Sequence, residues 1–265
     1  MIYKNKGNLK YLISEKIANC GGINHIFTTR HGGVSLGSLS SLNLGTGRQD
    51  DRANLLENYK RVCLAENMNY ENTVLSKQTH SVNIRVVTEE DKGKGLINES
   101  DIRDTDGLVT NVKNLPLVIF YADCVPVLLY EPHKKVIAVL HAGWRGTVGN
   151  IAANGVSVMK ENFGAKPENI LAAIGPSIGI CHFETGLEVA VEFEKAGLGE
   201  CIKYNNGKAN IDLWQANAIL LQNAGVLKGN IDIAALCTVC GKQDFFSHRG
   251  CGADTGRMGL IASLI

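Results

Sequence analysis

The chain has 265 residues, 45% of them hydrophobic and 20% charged, enough to bury a substantial core and outside the range of disordered or fibrous sequences. Lys plus Arg number 27 and Asp plus Glu 26, for a formal net charge of +1. With no Lys/Arg block in the chain, that balance argues against a nucleic-acid-binding surface, and no apolar run is long enough to span a bilayer.

The opening MIYKNKGNLKYLISEKIANC lacks the continuous apolar stretch of a signal peptide. Eight scattered cysteines read as free thiols of a reduced, cytoplasmic protein. Without an internal repeat or a Pro/Ser-rich linker, residues 1–265 are expected to form a single domain. In chain order, strands are expected at Ile26–Thr28, Ile84–Val87, Leu117–Tyr121, Val127–Tyr130, Val136–Leu140, Leu171–Ile174 and Ile231–Ala234, all short and rich in Val and Ile. The turn EPHKK between Val127–Tyr130 and Val136–Leu140 predicts an antiparallel hairpin, and so a mixed sheet. Asp51 should cap a helix running to Ala65, and Thr147 a second one carrying Val148, Ile151, Ala152, Gly155, Val156 and Met159 at helical spacing. Asp212 with Gln215 has the form of a capping box ahead of Leu213–Ala224. These elements together give an α/β (α+β) layered sandwich, a mixed β-sheet flanked by helices.

Three residues stand where apolar strands meet loops: Cys124 in YADCVPVLL, His141 in AVLHAGWRG and His80 in KQTHS. Cys124 reads as a buried thiol filling the core, a nucleophile or a metal ligand. His141 reads as a core imidazole bonded to a carbonyl, or as a functional group ahead of an anion-attracting helix start, with Arg145 beside it. His80 reads equally as a turn histidine. Two imidazoles and one thiolate would make a three-ligand zinc site with an open fourth position, although sequence spacing does not bring them together. A rival metal motif is CTVCGKQDFFSHRGC, where Cys237, Cys240, His248 and Cys251 offer four donors at gaps unlike the usual zinc-ribbon ones. Arg30, Arg48, Arg145, Arg249 and Arg257 all lie in Gly-flanked loops and as a group suit an anionic substrate, but no glycine-rich loop matches a P-loop or dinucleotide fingerprint.

TTRHGGVS, SLNLG, KQTHS, DTDGLVT, YADCVPVLL, AVLHAGWRGT, IGPSIG, and FFSHRG with TGRM follow one another along almost the whole chain. This series resembles the YfiH/YlmD-type family, variously labelled polyphenol oxidase, purine nucleoside phosphorylase or peptidoglycan editing factor. The resemblance implies zinc ligands at His80, Cys124 and His141, and a sandwich fold related to the cysteine-hydrolase domain of cytotoxic necrotizing factor toxins. It also implies phosphorolysis of adenosine, inosine and methylthioadenosine, with adenosine deamination. SHRGCGADTGR departs from the family's common SYRRDG-x-TGR around Arg249. The laccase label does not suit the residues: the chain has seven histidines and no His-x-His pair, too few imidazoles for a multicopper centre.

On this reading the partners are purine nucleosides and phosphate, with no nucleic acid and no membrane. Asp123, next to Cys124, is the candidate proton carrier, and Arg48 and Arg145 are the candidate phosphate contacts. The alternative is an amide hydrolase acting on a peptidoglycan precursor, with Cys124 as nucleophile and His141 as base. A purely partner-binding role has no positive support in the sequence.

Overall fold

The computed structural model describes residues 1–265. Its organising element is VIAVLHA, Val136–Ala142, in which every residue is buried. Such a strand must be covered on both faces. Val136, Ala138, Leu140 and Ala142 point into one core, while Ile137 and Val139 point into another. The expected hairpin forms, and its strands extend further than the apolar runs suggest: Val125–Glu131 pairs antiparallel with Val136–Ala142, from Val125 opposite Ala142 to Glu131 opposite Val136.

This hairpin is central to a six-stranded mixed sheet ordered Ile231–Ile233, Leu171–Ile174, Val125–Glu131, Val136–Ala142, Gly107–Thr110, Ile84–Val86. A second six-stranded sheet packs against it, ordered Ile2–Lys6, Leu9–Ile13, Ile23–Thr28, Met258–Leu264, Leu117–Tyr121, Val74–Leu75. The core between the sheets holds Phe27, Ile119, Tyr121 and Leu260 from one and Leu128, Tyr130, Ile137 and Val139 from the other. Outside the first sheet, helices Ile151–Phe163 and Leu213–Asn223 cover its far face. Outside the second, helix Arg52–Ala65 contributes Leu55, Tyr59 and Val62. The result is four layers, α/β/β/α, with two large mixed sheets where the sequence suggested one. A small three-stranded sheet, Glu184–Thr185, Lys208–Ile211 and Ile202–Asn205, stands apart from them.

Asp51 caps its helix as expected, accepting from the Ala53 N–H, and Asp212 accepts from the N–H groups of Trp214 and Gln215. The capping box is only half made, because the Gln215 amide reaches Glu200 instead. Thr147 does not cap a helix. It lies inside a short turn of helix, Trp144–Val148, and its buried hydroxyl accepts from the Asn217 amide. The longer helix starts afresh at Ile151, after Asn150 turns the chain through the left-handed region at φ 68°.

Candidate active site

The chain crosses from one large sheet to the other through Ala122, Asp123 and Cys124 alone, between strands Leu117–Tyr121 and Val125–Glu131. Asp123 makes the crossing possible with φ 89°. Because the hairpin is antiparallel, the start of Val125–Glu131 lies beside the end of Val136–Ala142, and Pro126 is opposite His141. On its other edge Val136–Ala142 pairs antiparallel with Gly107–Thr110, which sets Gly107 opposite Leu140, and Gly107 in turn pairs parallel with Ile84. Cys124, Asp106, His141 and the loop carrying His80 therefore converge at one end of the sheet. The sequence left open whether Cys124 and His141 share an edge; the register brings them together.

The ligand atoms of His80, Cys124 and His141 all lie within 4.8 Å of one another. Cys124 Sγ is 3.9 Å from His80 Nε2, and the two imidazole rings meet edge-on at 5.0 Å between centroids. Gly143 allows this approach: a Cβ there would stand 2.9 Å from His80 Cδ2 and 3.2 Å from Cys124 Sγ.

Asp106, which nothing in its local sequence marks as a partner, orders the cluster. It is fully buried, and its Oδ1 is 2.7 Å from His141 Nδ1. The same carboxylate accepts from the N–H groups of Thr79, His80 and Ser81 and from the Ser81 hydroxyl. These bonds hold His80 in its left-handed conformation, φ 64°, rare for a non-glycine residue. Burial alone would raise the Asp106 pKa, but the His141 hydrogen bond and the loop N–H groups outweigh it and hold the carboxyl down at about 2. With Nδ1 engaged by Asp106, only Nε2 of His141 is free to face Cys124 and His80, the arrangement usual for a metal-binding histidine.

The thiol and the imidazole each favour the other's charged form. Burial opposes charge on Cys124, yet the adjacent His141 charge and hydrogen bonds from both histidines bring its pKa down to about 6. Burial likewise opposes charge on His141, but Cys124 and Asp106 push it up to about 9. Both shifts run in the direction of a thiolate beside an imidazolium.

The cluster opens into a cavity of about 610 Å³, a volume typical of small-molecule sites. Phe120, Tyr121, Trp144 and Phe183 supply aromatic surface, and Lys77, Arg48, Arg249 and Arg257 supply positive charge. Arg48, expected as an anion contact, is among the residues lining this cavity. Arg145 does not line this cavity; it is exposed and stacks on Trp144, 4.3 Å from the ring centroid. Asp123 borders the cavity, but both its oxygens are engaged, Oδ1 with the Thr238 hydroxyl at 2.6 Å and Oδ2 with the Arg249 N–H at 2.7 Å. The four-donor set expected from Cys237, Cys240, His248 and Cys251 does not assemble. Cys237 and Cys240 instead meet Cys181 and His182, while His248 faces the cavity and Cys251 is exposed.

A four-layer sandwich with a His₂Cys cluster on the floor of a cationic cavity defines a class of protein with a candidate metal centre. Residues 24–265 match the family described as multi-copper polyphenol oxidoreductase laccase, and the chain belongs to that family, the YfiH family. A Deinococcus radiodurans protein named purine nucleoside phosphorylase is 40% identical over 91% of this chain and 88% of its own. One of the same name from Bacteroides thetaiotaomicron is 35% identical over 97% and 96%. A relative from an unknown prokaryotic organism, named adenosine deaminase RL5, is 35% identical over 89% and 92%. The crystal structure of Bacillus licheniformis hypothetical protein YfiH superposes with a TM-score of 0.92 at 32% identity, covering 99% of each chain. The multicopper centre in the family description does not suit the donors here, since it needs further imidazoles beside a His₂Cys site and this cluster has two imidazoles in all.

Proposed function

We propose that the chain is a zinc-dependent purine nucleoside enzyme that cleaves adenosine, inosine and methylthioadenosine with phosphate, giving free base and ribose-1-phosphate or its methylthio analogue, and that also deaminates adenosine. The observation that carries this reading is the His80–Cys124–His141 cluster on the floor of an aromatic and cationic cavity. The names of its relatives support it. The donor set suits zinc: two imidazoles and a thiolate match its preference, and three protein ligands leave a fourth position open. Zinc bound there would supply Lewis acidity.

The chain's own residues do the rest. Asp106 fixes the His141 tautomer and the backbone of the His80 loop, so both rings are oriented before any ligand arrives. Arg48, Arg249 and Arg257 provide positive charge for phosphate, whose oxygen bonds to C1′ as the bond from C1′ to the base breaks. Phe120, Phe183 and Trp144 offer flat apolar surface to a purine and exclude water. Asp123, with both oxygens committed, serves as a positioning residue in place of the proton carrier the sequence suggested. Metal-replete protein should release ribose-1-phosphate and free base from adenosine and inosine only when phosphate is present. Absence of phosphate-dependent cleavage would overturn the reading.

A second reading is favoured by one observation, Cys124 Sγ within 4.8 Å of the ligand nitrogen of His141, whose ring Asp106 orients, with each of the two favouring the other's charged form. That is also the arrangement of a cysteine hydrolase acting on an amide, such as a peptidoglycan precursor. The two readings make opposite demands on the thiol. A hydrolase keeps its activity after chelation and loses it to iodoacetamide; the nucleoside enzyme loses activity on chelation and is protected from alkylation while loaded.

A further inference from the structure

We propose that Cys181, His182, Cys237 and Cys240 form a second metal site, a closed Cys₃His tetrahedron that takes zinc and fastens one wall of the active-site cavity. The four ligand atoms lie within 4.8 Å of one another. Cys181 Sγ and Cys240 Sγ are 3.6 Å apart, and His182 Nδ1 is 3.2 Å from Cys181 Sγ, 3.6 Å from Cys237 Sγ and 3.4 Å from Cys240 Sγ. Zinc bonds of about 2.3 Å to sulfur and about 2.0 Å to nitrogen put ligands of one tetrahedron about 3.8 Å apart for two sulfurs and about 3.5 Å for sulfur and nitrogen. The observed separations fit those edges. They are far too long for a disulfide, about 2.0 Å, and all three cysteines are free.

Two loops distant in sequence are built to meet here. Ser177 and Cys237 form a parallel bridge, with the Ser177 N–H donating to the Leu236 carbonyl and the Thr238 N–H to that of Ser177. Gly179 permits the approach, since a Cβ there would meet Cys237 Cβ at 3.3 Å and the Trp214 ring at 2.9 Å. The Cys237–Cys240 turn closes with the Gly241 N–H donating to the Cys237 carbonyl at 2.9 Å. With four protein ligands the tetrahedron is complete, which makes the site structural in type. Cys181 and Cys240 are exposed, so a chelator can reach it.

The two loops also carry cavity residues. The His182 and Glu184 carbonyls both accept from Arg249 Nη1 at 3.1 Å, Phe183 lines the cavity, and Thr238 donates to Asp123, the neighbour of Cys124. An ion holding residues 181–182 to 237–240 therefore fixes the wall bearing Phe183 and Arg249.

The test uses the full chain carrying His80→Ala and Cys124→Ala, which leaves the second cluster untouched. Elemental analysis of this double variant should give one zinc per chain. Replacement by Co²⁺ should produce the intense charge-transfer absorption of several thiolates on one tetrahedral ion. Adding Cys237→Ser and Cys240→Ser should remove both signals. A double variant that keeps its circular dichroism but binds neither ion stoichiometrically would overturn the proposal. So would a Cys181–Cys240 disulfide in the protein as purified, or metal retained by the quadruple variant. The outcome is independent of the first site, because two of that site's ligands are absent throughout.

Discussion

Asp106 Oδ1 accepts from His141 Nδ1 at 2.7 Å while the same carboxylate accepts three N–H groups from Thr79, His80 and Ser81. One buried charge thus orients the His141 ring and holds the His80 backbone. Asp106→Asn replaces an acceptor oxygen with an NH₂ group facing those donors. Outer partners of this kind contribute about 10–100-fold to metal affinity or activity. Asp106→Asn should therefore weaken metal retention by about that factor in a chelator competition, with the fold intact by circular dichroism.

Metal-free protein should carry a reactive thiol. The Cys124 pKa falls to about 6 beside His141, so thiolate predominates at pH 7 in metal-free protein. Iodoacetamide labelling of Cys124 should then be fast at pH 7 and gain little by pH 9. In His141→Gln the profile should move toward that of an ordinary thiol, slow at pH 7 and rising with pH. Peptide mapping by mass spectrometry separates Cys124 from the other cysteines.

Gly143 sits at φ −65°, so alanine is conformationally allowed there, but its Cβ would meet His80 and Cys124. Gly143→Ala should push the two side chains apart. Overpacking of this kind costs about 1–3 kcal/mol of stability, so Tm should fall, and the spread donors should in addition weaken metal retention and lower kcat.

Arg48 and Arg145, paired by sequence as anion contacts, should behave differently. A hydrogen bond to a charged group contributes about 1.5–3 kcal/mol, about 10–100-fold. Arg48→Ala should raise KM for phosphate within that range, and Arg145→Ala, outside the cavity, should leave it within about twofold. Steady-state kinetics with varied phosphate decides between them.

His25 predicts a pH-dependent stability unrelated to the site. It is buried, and its Nε2 accepts the Ser14 N–H at 2.9 Å, which requires the neutral ring. Burial, aided by Lys4, brings its pKa down from 6.5 to about 4. The unfolded chain therefore binds more protons between those values, and stability is lost as pH falls through that window, by about 3 kcal/mol at most. The depression of Asp106 acts only lower, as pH falls from 3.8 toward 2. Urea melts of His25→Gln, which keeps an acceptor but cannot titrate, should show a flatter dependence between pH 6.5 and 4.

Local pattern was enough for much of the framework. Leu117–Tyr121 and Leu171–Ile174 stand where their Val- and Ile-rich runs predicted, and the EPHKK turn joins a hairpin. Turn residues and uninterrupted apolar runs report short-range preferences that the fold keeps. Met258–Leu264, whose MGLIASL mixes Gly, Ala and Ser into the apolar run, lacks that Val- and Ile-rich signal, although it lies between Ile23–Thr28 and Leu117–Tyr121.

At the site, residue types alone made His141, His80 and Cys124 candidates, and the family motifs joined them. The antiparallel register of one hairpin and a three-residue crossing between sheets brought their ligand atoms together. Asp106 was invisible as a partner because its role depends on a parallel and an antiparallel neighbour at once, Ile84–Val86 and Val136–Ala142. In the same way Cys237-x-x-Cys240 was legible as a metal motif, but its partners were not. Sequence determines which donors exist and their local spacing; strand register and loop approach decide which donors share a point in space. That is why Cys181 and His182, and not His248 and Cys251, complete the cluster.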